Sequence, residues 1–192
     1  MLAMTVPLQY AQRGSHLALA ALAGRRRFEP LVHHPRRDVR DPEHGTRFYY
    51  HAHALPGDSP KEHGHFHLFH EHARGFSHLA ALSLDAQGRP LRWFCTNQWV
   101  TGEHWRSARA WAGTVGQFRL QTQGRMAPVA RWLEAMVQLY GEELLALLQA
   151  RDAVVQGLAS SASQRRRLFA DRQHHILCSL PVSLQDKVSR LL

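Results

Sequence analysis

Between Tyr49 and His78 the chain reads YYHAHALPGDSPKEHGHFHLFHEHARGFSH, and eight of its fifteen histidines fall in that stretch. Two segments alternate histidine with another residue: His51-Ala52-His53 and His63-Gly64-His65-Phe66-His67. On a β-strand, alternate side chains share one face, roughly 6.5–7 Å apart at Cα, and a neighbouring strand lies about 5 Å away. Imidazoles so placed can converge on one ion. Neutral imidazole is a ligand for zinc, iron, copper and nickel, and catalytic sites combine three protein ligands with a position left open for water or substrate. His51, His53, His65 and His67 are therefore the candidate metal ligands, with Glu62, His63 and His78 able to complete the set. Glu62 and Glu103 are the candidate catalytic carboxylates, as ligand or general base. The competing reading makes the same histidines ordinary polar residues on a solvated sheet face.

The elements that must position these residues follow from periodicity. Thr46 to His53 places Phe48, Tyr50 and Ala52 on one face and Tyr49, His51 and His53 on the other, a period of two. Ala54 to Lys61, with Pro56-Gly57-Asp58, reads as the connection to a second strand, Glu62 to Phe69. There Phe66 and Leu68 face one way and His63, His65 and His67 the other. If the two strands pair in step, their histidine faces coincide. Ser77 to Leu84 reads as a third strand, and Asp85-Ala86-Gln87-Gly88 as the turn to a fourth, Pro90 to Val100. The expectation is an α+β fold whose four-stranded antiparallel sheet, about 45–100, is packed by N-terminal and C-terminal helices.

A single domain, 1–192, accommodates these elements: a helical N-terminal segment (1–27), an ordered loop rich in Pro, Asp and Arg (28–44), the histidine-rich sheet (45–100) and a helical half (103–192). In the last part, Trp105, Ala108, Trp111, Ala112, Val115 and Phe118 recur at helical spacing. Pro128 stands at a helix start ahead of an apolar stripe from Val129 to about Val155, which Gly141 bends or divides. Gln164 to Leu177 and Ser183 to Leu192 read as two more helices, with Ser183 and Asp186 spaced as a capping pair. The tryptophans and the leucine stripe are read as core.

Net charge is +9, almost wholly from arginine, since lysine occurs only at 61 and 187. Arginine with abundant alanine and leucine reads as the bias of a GC-rich bacterial genome. Arg25 to Arg27 and Arg165 to Arg167 are where nucleic acid would bind. These runs are short and lack interleaved aromatics, so a solvated cationic face is preferred. Cys95 and Cys178 have no metal-type spacing and read as reduced thiols of a cytoplasmic protein. No apolar run approaches the roughly 18 residues of a membrane span. Leu17 to Ala23 is shorter still, and its arginines follow rather than precede it, unlike a signal peptide. The expected partner is a small-molecule substrate, with no membrane; oligomeric state is left open.

Family patterns can be compared with these residues. His65-x-His67-x-x-x-Glu71 fits the first metal motif of the cupins, but no Pro-x-Gly-x-x-His-x-x-x-Asn motif follows, and a jelly roll needs strands where this chain reads as helical. His63-x-His65-x-His67-x-x fits the histidine-triad pattern, which would make His65 a nucleophile, but the asparagine and glycine-rich approach are missing. Neither is adopted. Six segments in order cover most of the chain: HHPRRDVRD (33–41), FYYHAH (48–53), EHGHFHLF (62–69), FSHLAALSLDAQGRP (76–90), TNQWVTGEHW (96–105) and RWLEAM (131–136). Together they resemble the bacterial domain-of-unknown-function family DUF6969. That resemblance implies no reaction, cofactor or partner, but it draws Asp38, Asp41, His78, Asn97, Trp99, Thr101, Gly102 and Glu103 into the same core as the histidines.

The leading reading is a metal-binding protein with a histidine-rich site on a β-sheet, carrying a divalent transition metal, zinc or iron, for an enzymatic reaction on an unspecified substrate. One alternative is a metal-free, histidine-triad-like nucleotide hydrolase or transferase. Another is a non-catalytic protein binding metal, haem or nucleic acid.

Overall fold

Two faces of different chemistry alternate along one antiparallel sheet of six strands. In chain order these are β1 (His33–Asp41), β2 (Thr46–Ala52), β3 (Gly64–His72), β4 (Gly75–Leu84), β5 (Pro90–Thr96) and β6 (Ile176–Pro181), each paired with the next. The computed structural model describes residues 2–52 and 61–190. Helices α1 (Leu2–Ala11) and α2 (Leu17–Ala21) precede the sheet. Between β5 and β6 come α3 (Gln98–Thr101), α4 (Ala108–Val115), α5 (Ala127–Leu139), α6 (Gly141–Leu158) and α7 (Ala162–Ala170), and α8 (Leu184–Ser189) follows.

The α+β class and the antiparallel sheet agree with the sequence, but the expected four strands are six. Both additions lie at edges. β1 carries Pro35 and the charged run Arg36, Arg37 and Asp38, composition that reads as loop yet suits an edge, where a missing N–H is tolerated and charge discourages further pairing. β6 is six residues with no clear alternation; sequence alone attached its start to the preceding helix, which ends at Ala170. Its partner, β5, lies far back in the chain.

One face of the sheet is apolar. Phe48, Tyr50, Phe66, Leu68, Leu82 and Trp93 join Trp132, Leu133 and Met136 of α5 and Leu144 and Leu148 of α6 in one buried cluster. Trp132 lies 6.1 Å from Phe66, ring to ring, and its indole N–H donates to the Ala3 carbonyl at 3.2 Å, tying α1 to the core. Helix ends follow sequence signals. Ser107, Ser161 and Ser183 cap α4, α7 and α8 through their hydroxyls, and Ser161 forms a full capping box with Gln164. The apolar stripe of the second half divides between α5 and α6 at Tyr140, one residue before Gly141.

Gly64 opens β3 opposite Ala52 of β2. A Cβ there would run into the His51 carbonyl oxygen and the Tyr50 phenol. Gly64→Ala should therefore force β2 and β3 apart at His51, with a cost of about 1–3 kcal/mol or more typical of overpacking. Urea denaturation of the variant checks this; wild-type stability would mean that the strand pair tolerates a wider spacing.

Candidate metal centre

Register brings the histidines together. In the β2–β3 pair His51 stands opposite His65, and Tyr49 opposite His67. Because Phe48, Tyr50, Phe66 and Leu68 must face the core, the intervening residues are forced to the opposite face. His51, His65 and His67 each offer a ring nitrogen there, all within 4.8 Å of one another, so the three could hold a metal ion. His65 Nε2 and His67 Nε2 are 2.9 Å apart. His53 lies outside the described residues.

This face is buried, contrary to the solvated-face reading. His65 is 5 % exposed, His67 1 % and His78 2 %. Tyr49, Phe69 and Phe94 flank the rings: Tyr49 is 5.0 Å from His67, Phe94 is 5.0 Å from His65 and Phe69 is 6.1 Å from His67. From β1, His33 stacks on Tyr49 at 3.6 Å and lies 5.8 Å from His51.

Each of the two buried rings of the triplet, His65 and His67, has an outer partner. His65 Nδ1 is 2.8 Å from Glu62 Oε1, and Arg92 is 3.2 Å from Glu62 Oε2. Burial, the largest influence on Glu62, works to raise its carboxyl, yet the His65 hydrogen bond and Arg92 hold it below its ordinary value. An ionised Glu62 can only accept, so His65 donates to it from Nδ1, and Nε2 is the ring nitrogen turned toward His67. His67 Nδ1 in turn meets His78 Nε2 at 3.0 Å, and His78 Nδ1 meets Thr96 Oγ1 at 3.3 Å. Burial, aided by Arg151 and His65, drives His78 down to about 3. It stays neutral near pH 7, able to donate from one nitrogen and accept at the other.

His78 reaches this face through an irregularity. The β3–β4 register runs Leu68 to Ala80 and then Phe69 to His78, leaving Leu79 as an extra residue. Unbroken alternation would put His78 beside Ala80 and Leu82 on the core side; the bulge switches it over while Leu79 stays in the core. Beyond β5, Asn97 caps α3, and Gly102, with φ 64°, closes it in the left-handed region that favours glycine. That reversal delivers Glu103 to the site. Its Oε2 accepts the His78 backbone N–H at 2.6 Å, while the His104 N–H donates to the Phe76 carbonyl and the Ser77 hydroxyl to the His104 carbonyl. Burial pushes Glu103 up to about 8, against the His78 hydrogen bond and the Arg151 charge.

The remaining residues singled out from sequence are placed apart from the cluster. His63 sits on the core side, its Nδ1 2.8 Å from the Tyr50 hydroxyl, so the alternating run of three histidines is split between two faces. Asp38 pairs with His33 at 2.9 Å and Arg47 at 3.4 Å; Asp41 accepts from the Gln121 backbone at 2.7 Å and from His44. Asn97 also donates to the Leu168 carbonyl, and Trp99 to the His174 carbonyl. These are ties between elements. Sequence reading gave no role to Thr96 or Arg92, which reach the network through β5 and carry no motif of their own.

Residues 3–182 match the family model of a domain of unknown function, DUF6969, and the chain belongs to that family. No curated protein and no solved structure matches it. No helix among the described residues is long and apolar enough to cross a membrane.

Glu103 gives a pH signature. Its carboxyl is raised on folding from an ordinary 4.5 to about 8, so the folded state keeps a proton that the unfolded chain releases. The stability this confers is complete below about pH 4.5 and is lost as pH rises through about 8. Glu103→Gln cannot ionise, so the difference in unfolding free energy should move in the variant's favour as pH is raised across that window. Urea titrations of both proteins measure it; parallel curves would show that Glu103 is ionised throughout.

Proposed function

We propose that the chain is a metalloprotein whose centre is a divalent zinc held by His51, His65 and His67, with the metal acting as a Lewis acid in an enzyme. The observation that carries this reading is the convergence of three imidazole nitrogens within 4.8 Å on a buried face. Three protein nitrogens with a further position for water or substrate is the arrangement of catalytic rather than structural zinc. Zinc is favoured over iron by the absence of a carboxylate among the three, because non-haem iron sites combine two histidines with one carboxylate. Glu62 turns instead to the far nitrogen of His65.

That turn is itself support. A ligating histidine characteristically donates its other N–H to a carboxylate, backbone carbonyl or water, which fixes ring and tautomer. Glu62 does this for His65, and His78 stands in the same relation to His67. Glu62 and His78 are thus positioning residues, with Arg92, Thr96 and Glu103 holding them in turn. The Nε2 atoms of His65 and His67, 2.9 Å apart, are the two that zinc would share. Each ligating imidazole must be unprotonated at the nitrogen that binds zinc, so binding weakens on acidification.

The test is elemental analysis of untagged protein purified without a metal-affinity column. About one zinc per chain is expected, lost on brief dialysis at about pH 5, where protonated imidazole no longer ligates, and restored by zinc alone. Replacing His65 and His67 together by alanine should abolish binding while the far-UV circular dichroism is retained, and Glu62→Gln should weaken it by about 10–100-fold. Folded protein that neither carries nor takes up zinc would contradict the proposal and leave the buried histidines as a metal-free hydrogen-bonded chain.

A further inference from the structure

Away from this centre, the chain's two cysteines stand directly opposite each other, Cys95 on β5 and Cys178 on β6, both toward the core side of the sheet. Directly opposed residues of antiparallel strands hold their Cβ atoms about 4.5–5.5 Å apart. A disulfide needs about 3.5–4.5 Å, so closing the pair asks for an approach of about an ångström. The ladder changes register immediately after Cys95, between Cys95 and Thr96, and β6 is an edge strand with no strand beyond it, which leaves the pair room to adjust.

The two thiols differ in kind. Cys95 is 1 % exposed, whereas Cys178 is half-buried, its Sγ 3.4 Å from the Leu147 carbonyl oxygen on α6. Cys95 beside it and the buried Arg151 guanidinium, one turn along α6 from Leu147, lower the Cys178 thiol, against the burial that would raise it. A half-buried thiol beside a fully buried one is the division of labour of a reactive and a resolving cysteine.

We propose that Cys95 and Cys178 form a reversible redox pair that takes a low-molecular-weight disulfide as its oxidant. The Cys178 thiolate attacks one sulfur of the small disulfide, forming a mixed disulfide and expelling one small thiolate. The Cys95 sulfur, giving up its proton, then attacks the Cys178 sulfur and expels the second small thiol. The net change is two protein thiols and one small disulfide converted to one protein disulfide and two small thiols.

The experiment equilibrates full-length protein with glutathione and glutathione disulfide at a series of ratios, followed by acid quench, thiol counting in denaturant and intact mass. Wild type should lose both thiols together with a mass lower by two hydrogens, and a peptide joining residues 95 and 178 should appear. Cys95→Ala should stop at one bound glutathione on Cys178, and Cys178→Ser should leave Cys95 unmodified while the protein stays folded. The proposal is overturned if wild type keeps a single stable glutathione adduct, forms only disulfide-linked dimers, or retains both thiols at every ratio. The wild-type result decides the matter even if Cys95→Ala, a change in the core, fails to fold.

Discussion

The pairing of β2 with β3 in one register is the constraint on which the rest of the structure depends. Phe48, Tyr50, Phe66 and Leu68 are driven to the core by the apolar surface they bury, and that choice leaves His51, His65 and His67 no face but the other. A slip of one residue would exchange the two sets and destroy core and cluster together. Gly64 leaves room for the His51 carbonyl and the Tyr50 phenol at the start of β3, and the Leu79 bulge lets β4 contribute His78 without surrendering its own apolar face.

Burying so many imidazoles is costly unless every polar atom is matched. For His65, His67 and His78 the chain meets this with an ordered series of partners: Arg92 to Glu62, Glu62 to His65, His65 to His67, His67 to His78, and His78 to Thr96. Glu103 holds the backbone of His78 from outside that series. The centre is thus a property of four strands and the turn after β5. Its outer residues fix which nitrogen of each ring carries a proton, and so which is turned toward the others.

Much of this was legible in the sequence, for a physical reason. Period-two alternation is a local signal, and it located β2 and β3, their two faces, and His51, His65 and His67 correctly. The edges escaped because edge strands are relieved of the pattern that marks central ones: β1 mixes proline and charge, and β6 is too short to show a period. His63 was grouped with its alternate neighbours, but it lies before the first residue of β3 and turns to Tyr50. His78 could be offered only as a completion of the set, because a bulge inverts facing without any change in composition. The roles of Glu62 and Glu103 as supports of other residues depend on distances that only the fold supplies. The juxtaposition of Cys95 with Cys178 depends on β6, which sequence reading did not find.

X-ray absorption of the zinc-loaded protein tests the central claim most directly, because it counts and types the atoms bound to the metal. Three imidazole nitrogens at about 2.0–2.1 Å with one oxygen are expected for a zinc on His51, His65 and His67, and the imidazole contribution should fall when His67 is replaced by alanine. A shell of oxygens alone, or a spectrum unchanged by that substitution, would contradict the account and place any bound zinc elsewhere on the protein.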